Sequence, residues 1–285
     1  MSFEIRRVQS QEEYWGVESI QREAWGFPDI GIVPDNMLIA VQHNGGLVLG
    51  AFERASDGQP ERMIGFALGF LSRVDGGSCR HWSHMVAVLP EFQGRNVGYR
   101  LKLAQRDRVL SQGIEHILWT FDPLESRNAH LNFHKLGAVC ATYRRDVYGR
   151  MRDEPNISLP SDRFGVDWHV SSRHVSERLS KSNRSPDLSQ LLAAGVSVLN
   201  DTGGGIAPHI SPIDWSSATD RVLIQIPARF QELKAADLEM ARDWRFLTRE
   251  LFETAFALGY GVTDFLHEVS RSYYVLGKEW HPDED

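Results

Sequence analysis

Cysteine is scarce: the chain has 285 residues and two thiols, Cys79 and Cys140. Two cysteines cannot build a disulfide framework, and a chain of this size does not need one. Long apolar runs are also missing. The longest, such as residues 63–71, are interrupted by glycine and fall well short of the roughly 20 residues that cross a bilayer. The opening MSFEIRRVQSQEEYW puts charges where a secretory leader needs an apolar stretch. The expected setting is a reducing cytoplasm. Positive charge is in the minority, with 31 Lys and Arg against 38 Asp and Glu, a net charge of −7. Such a chain has no general attraction for nucleic acid or an anionic membrane, and neither is expected as a partner. The Walker pattern G-x-x-x-x-G-K-[ST], the dinucleotide pattern G-x-G-x-x-G and the hydrolase elbow G-x-S-x-G do not occur. The cluster Thr202-Gly-Gly-Gly205 lacks both the lysine and the following helix of a phosphate loop, and reads as a flexible loop. No metal is expected.

What is present is ordinary globular material: 42% hydrophobic residues, eight Trp and fourteen Phe. Residues 3–8 alternate as a strand. Ser10-Gln-Glu-Glu13 is a capping-box pattern that predicts a helix to about residue 25. A short helix follows from Pro34. Strands are predicted at 47–54 and 63–72, joined by the turn Ser56-Asp57-Gly58-Gln59-Pro60. A strand at 79–89 precedes a Gly- and Asn-containing loop and a helix to about residue 112. Then come a strand at 116–121, a helix at 128–136 and strands at 138–143 and 164–171. The polar, Ser-rich stretch 176–190 is the best linker. Beyond it, strands at 195–200 and 221–226, one long helix at 230–258 and a hairpin at 262–276 form a β-β-α-β-β extension. The predicted organisation is an α+β fold with a mixed, mostly antiparallel sheet over 1–175, a linker at 176–190 and an α+β extension over 191–285. On the long helix, Phe230, Leu233, Met240, Trp244, Leu247, Leu251, Ala255 and Leu258 make a core stripe, while Glu232, Lys234, Asp243 and Arg249 read as a solvated mixture.

The strand–loop–helix at 84–112 is the most informative stretch. The first turn of a helix has N–H groups without intrahelical partners and a positive dipole end, which suits phosphate. Gly94, Asn96 and Gly98 permit a close backbone approach. Arg95, Arg100, Lys102, Arg106 and Arg108 face one acid, Asp107, so 93–108 is locally +4 (five minus one).

The segment Val86-Ala-Val-Leu-Pro-Glu-Phe-Gln-Gly-Arg-Asn-Val-Gly-Tyr-Arg-Leu101 resembles the acyl-CoA motif of the GNAT superfamily of N-acyltransferases. Asn128-Ala-His-Leu-Asn-Phe-His-Lys-Leu-Gly137 resembles a second element of that family. The resemblance covers about the first 170 residues. The chain also resembles a bacterial branch carrying W-T-F-D-P-L, here Trp119–Leu124. It departs from the family at Asn96, in place of a glycine, and at His134, in place of the usual tyrosine acid. The resemblance implies a GNAT-like fold with acetyl-CoA or another acyl-CoA as co-substrate. It implies backbone pairing of the pantetheine arm with Val86 and Val88. The pyrophosphate would lie on N–H groups of Gln93, Gly94, Arg95, Asn96, Val97, Gly98 and Tyr99, and Asn128 near the thioester. Arg95, Arg100 or Lys135 would reach the phosphates. Relatives linked to N-succinylation of amino acids make succinyl-CoA the alternative donor.

Amine acylation needs a neutral amine and a protonated leaving thiolate, and His suits both near neutrality. Strict alternation puts His84 on one face with Arg80, Trp82, Val86 and Val88, and His81 on the other, so the two histidines do not make a metal pair. His84 resembles in position a catalytic His of the arylalkylamine N-acetyltransferases. His84 as base and His134 as acid are the candidates, each against a purely structural role. Asp122 either ends its strand or binds an amine. Arg163 either clamps a substrate carboxylate or forms a surface ion pair. The reading is an N-acyltransferase acting on a small-molecule or amino-acid primary amine. The alternatives are an acyl-CoA sensor and a structural protein that binds simple anions. The extension either packs on the acceptor side of the cleft or builds a homodimer interface.

Overall fold

The computed structural model describes residues 2–54, 61–73, 77–149, 159–180, 185–203, 205, 207–208, 215 and 218–278. The expected turn at 56–60 and part of the 202–205 cluster lie outside them. The described chain divides into two compact units, Met1–Trp119 and Thr120–Asp285.

The first unit opens with β1 (Phe3–Arg7) and α1 (Gln11–Trp25). Ser10 caps α1 by accepting from the Glu13 N–H, and the Glu13 carboxylate accepts from the Gln9 N–H at 2.7 Å. These bonds give two otherwise unpaired N–H groups a partner. Helix α2 (Asp35–His43) leads into β2 (Leu47–Glu53), β3 (Arg62–Arg73) and β4 (Cys79–Val88). Helix α3 (Val97–Ser111) follows, then β5 (His116–Phe121), within which the unit boundary falls. The strand order is β1-β2-β3-β4-β5. Neighbours are antiparallel up to β4, and β4 pairs in parallel with β5 at His81–Ile117 and Trp82–Leu118. Helix α1 packs on the face that carries Phe66, with Trp25 edge-on to that ring at 6.0 Å. Helix α3 covers the opposite face, where Gly69 leaves room: a Cβ there would lie 2.2 Å from His81 Nε2 and 2.9 Å from Gln105 Nε2.

In the second unit, α4 (Ser126–Ala129) runs into a π-helical turn (His130–Lys135). The helix expected at 128–136 thus begins two residues earlier and is underwound into the wider π form over 130–135. Strands β6 (Val139–Arg144) and β7 (Arg163–His169) and helices α5 (Arg173–Leu179) and α6 (Leu188–Ala193) follow. Both ends of the 176–190 segment are therefore helical. Asp187 caps α6 reciprocally with Gln190, a local signal stronger than the polar composition that suggested a linker. The extension holds β8 (Ser197–Val198), β9 (Arg221–Pro227), α7 (Phe230–Ala236), α8 (Leu238–Ala257), β10 (Tyr260–His267) and β11 (Arg271–Lys278). The single long helix expected at 230–258 is two helices. Asp237 is extended, and its side chain accepts from the Met240 N–H at 2.9 Å, so it starts a new helix instead of continuing the old one. The strand order is β7-β6-β10-β11-β9-β8, antiparallel except for β8 beside β9. Phe164 centres this unit's core: Phe121, Tyr143, Phe252 and Tyr274 all stand edge-on to its ring, at 4.7–5.9 Å. The expected α+β class is the class observed, mixed sheets flanked by helices. Among the described residues no helix is long and apolar enough to cross a membrane.

Candidate functional site

Strand β4 is not regular. Met85 pairs with Leu68 and Ser83 with Gly69, so His84 is an extra residue, a β-bulge. The bulge corrects the face assignment made by strict alternation. Val86 and Val88 share a face with Ser83 and His81, and His84 sits between the two registers. It also sets the direction of the backbone groups. The Leu89 N–H donates to the Ile64 carbonyl at 3.0 Å, which makes 89, 87 and 85 the residues bonded to β3 by antiparallel alternation. Val86 and Val88 then turn their N–H and C=O groups to the other edge. On that side the registered pairs with β5 are at His81 and Trp82.

The chain leaves β4 through Pro90 and turns at Gly94, with φ +76°, and Asn96, with φ +61°. Asn96 is the entry residue of α3, and its side chain forms no cap. No acid occupies the first turn. Gln93, Gly94, Arg95 and Asn96 are exposed, Val97 is buried, and Gly98 and Tyr99 are half-buried. The N–H groups at the head of a 15-residue helix are thus presented with positive dipole and without a side-chain acceptor from Asn96.

The local +4 is not all at this mouth. Arg95 lies over the Phe92 ring at 5.4 Å, and Arg100 turns over Phe3 at 4.2 Å. Lys102 points inward and is buried. It donates to Ser83 Oγ at 3.0 Å and Gln105 Oε1 at 2.9 Å, and lies 3.8 Å from the Trp119 ring. Gln105 Nε2 is 3.1 Å from His81 Nε2. Burial lowers the Lys102 ammonium to about 7. Burial, and then the Lys102 charge, lower His81 to about 4. His84 is exposed at the bulge, 5.7 Å from the Phe70 ring, and the burial it does have lowers its pKa.

In the second unit, Asn128 is exposed on α4 and Lys135 half-buried at the end of the π-turn. His134 places Nδ1 3.1 Å from Asp264 Oδ1, and Arg178 holds the other oxygen at 2.8 Å. Burial works against the Asp264 carboxylate, yet His134 and Arg178 together bring it down to about 2. With Nδ1 engaged, Nε2 is the atom His134 has to offer. His130 stacks on His134 at 4.8 Å and is lowered to about 4, by burial first.

Asp122 and Arg163, read separately from the sequence, belong to one cluster. Arg163 Nη1 is 3.7 Å from Asp122 Oδ2, and Arg245 Nη2 donates to that same oxygen at 2.5 Å. Asp122 is therefore held by guanidinium groups rather than left open to an amine. Arg249, expected in solvent, makes two 2.8 Å bonds to the buried Asp162. Asp162 also accepts from the Tyr143 hydroxyl at 2.7 Å and the Asp146 N–H at 2.9 Å. Sequence reasoning missed Lys102 and Arg245 as buried groups. Helical spacing held the signal. Lys102 lies among the buried Val97, Leu101, Gln105 and Val109, and Arg245 among Ala241, Trp244, Thr248 and Phe252.

No protein-family model matches the chain, and no curated protein matches it. Solved structures resemble it. An acetyltransferase of the GNAT family from Elizabethkingia anophelis, with acetyl-CoA bound, is 11% identical at a TM-score of 0.42, covering 59% of this chain and 97% of its own. NAA60 of Arabidopsis thaliana, in complex with a bisubstrate analogue, is 14% identical at a TM-score of 0.47, covering 59% and 97%. The ribosomal-protein alanine N-acetyltransferase of Escherichia coli is 17% identical at 0.45, covering 65% and 100%. Likeness at this level assigns no chemistry, which rests on the chain's own residues.

Proposed function

We propose that this chain is a GNAT-type N-acyltransferase that moves an acyl group from acyl-CoA to a primary amine. The observation that supports it most is the bulged strand β4 running into the uncapped head of α3. Val86 and Val88 turn backbone donors and acceptors to the strand's outer edge, suited to the amides of a pantetheine arm. N–H groups from Gly94 to Tyr99 suit a pyrophosphate, with Arg95 as the nearby charge; the Gln93 N–H is given to the Pro90 carbonyl and Arg100 turns over Phe3. The donor is acetyl-CoA, with succinyl-CoA as the alternative, and the acceptor is an amino acid or small amine.

In this reading His84 is the base. Its lowered pKa keeps the imidazole neutral at pH 7, ready to take a proton from the acceptor ammonium. The amine nitrogen then attacks the thioester carbonyl, the adduct's extra N–H proton passes to solvent, the C–S bond breaks, and His134 Nε2 delivers a proton to the departing thiolate. Asp264 orients His134 through Nδ1, which leaves Nε2 to carry the transferred proton. Asn128 and Lys135 are assigned to the arm and the phosphates.

Calorimetric titration with CoA and release of free thiol across a panel of amines test the reading. Saturable CoA binding and amine-dependent thiol release are expected. Absence of both sinks it, and binding without release favours a sensor. His84→Ala is expected to lower kcat/KM by about 10²-fold or more and to remove the acid limb of the pH profile, which lies below the ordinary histidine value because the pKa is lowered. An unchanged rate and profile would show that His84 is not the base.

A further inference from the structure

The second unit buries a guanidinium with more donors than it has acceptors for. Arg245 is 1% exposed, and its Nη2 donates to Asp122, yet its Nε and Nη1 are buried with no hydrogen-bond partner. A guanidinium carries five N–H donors and no acceptor, and a buried donor without a partner is costly. The surrounding acids do not supply the missing acceptors. Asp162 is committed to Arg249, Tyr143 and Asp146. Asp122 is shared between Arg245 and Arg163. Three guanidinium groups thus meet two aspartates. Glu125, whose charge also reaches the group, accepts from Gln231 rather than from Arg245. A buried guanidinium with unpaired donors, beside the half-buried Arg163, takes an anion rather than an amine.

We propose that this cluster is a carboxylate-binding site whose principal donor is Arg245, a residue of the C-terminal extension, with Arg163 beside it. The inference deepens the acyltransferase reading and rests on it only for the molecule that carries the carboxylate. Two sources share the chemistry: the α-carboxylate of an amino-acid acceptor, and the distal carboxylate of a succinyl donor. Either gives helix α8 a direct part in substrate choice.

The first test needs no turnover. Succinate, with uncharged succinamide as control, is titrated into the full chain by calorimetry and thermal shift. Succinate is expected to bind and raise Tm, and succinamide to do neither. Equal behaviour of the two overturns the site. Arg245→Met keeps an apolar body of similar length and is expected to lose the succinate response, while Arg245→Lys restores part of it. Should Arg245→Met not fold, Arg163→Gln, at a half-buried position, is expected to weaken succinate binding at least threefold, and unchanged binding counts against the site. Turnover then separates the sources. A tenfold rise in KM for an amino acid, without one for its decarboxylated amine, assigns the acceptor. A tenfold rise in KM for succinyl-CoA, without one for acetyl-CoA, assigns the donor. Thiol release that is indifferent to carboxylates in both arms overturns the proposal while the acyltransferase reading stands. Succinate binding with no CoA binding and no thiol release leaves the site standing and sinks that reading instead.

Discussion

In the first unit the buried cation is Lys102, held by neutral dipoles that include the Ser83 hydroxyl and the Gln105 amide, with the Trp119 ring beneath it. In the second it is Arg245, held against the Asp122 carboxylate and flanked by the Arg249–Asp162 pair. The ammonium yields to burial and titrates near neutrality, at about 7. The guanidinium does not yield, because burial is outweighed by Asp122 and its charge is raised in stability. One unit thus buries a cation that can become neutral, and the other a cation that stays charged and needs anions. The same division runs through their candidate anion sites. The first is built from backbone N–H groups at a helix head, the second from guanidinium side chains.

The largest effect is expected from Asp162→Asn. Asp162 is fully buried and accepts four hydrogen bonds, two of them from Arg249. Removing its charge leaves Arg249 without its counter-ion, and a loss of about 3–5 kcal/mol is expected, seen as a fall in Tm of roughly 10 °C. A fall of under about 2 °C would show that this pair does not hold α8 in place.

A change of pH acts on Lys102 and leaves Arg245 charged. Lys102 is lowered from 10.5 to about 7, so between those values the unfolded chain binds the extra proton. Stability then rises with pH across that window, and the penalty is fully present below pH 7. Wild type should gain on the order of 3 kcal/mol between pH 7 and pH 10 relative to Lys102→Met, measured by urea unfolding. Parallel curves for the two proteins would contradict the buried ammonium. His81, lowered from 6.5 to about 4, adds a rise between those lower values in both proteins.

The smallest effect falls on the backbone site. Gly94 has φ +76° and open space where a Cβ would point, so Gly94→Val meets strain rather than a clash. A cost of about 1–2 kcal/mol is expected, appearing as a roughly tenfold weaker CoA titration with succinate binding unchanged. Loss of both would mean that the two sites are not independent.

Much of the fold was legible, because capping boxes, glycine stops and apolar periodicity are local. Ser10 and Glu13 announced α1, and Asn96 was recognisable as a residue that tolerates the left-handed entry to α3. The rest was decided by tertiary packing or by weak competition. Nothing in the sequence of β4 marks the bulge, since Ser83, His84 and Met85 suit a regular strand as well. Asp237 could be read as a cap, but the apolar stripe passes through it at unbroken spacing. The inward cations were hidden by habit: Lys and Arg on a helix are assigned to solvent, and only their angle among apolar neighbours says otherwise. Arg163 was legible as a residue for a carboxylate or an ion pair, and it stands 3.7 Å from Asp122; its neighbour Arg245, 82 residues further along the chain (245 minus 163), was not legible.

The single extra residue in β4 acts as a phase shifter. Ahead of it, His81 and Ser83 face the outer edge of the strand; after it, Val86 and Val88 do. Were His84 taken up as an ordinary strand residue, the odd-numbered rhythm would run through, handing that edge to Met85 and Ala87 and turning the side chains of the segment upside down; deleting it would leave a regular strand with Val86 and Val88 still facing out. One amino acid therefore sets which half of the backbone's donors and acceptors is available to a guest. A one-residue insertion at 83–85, set against deletion of His84, would test that more stringently than any substitution.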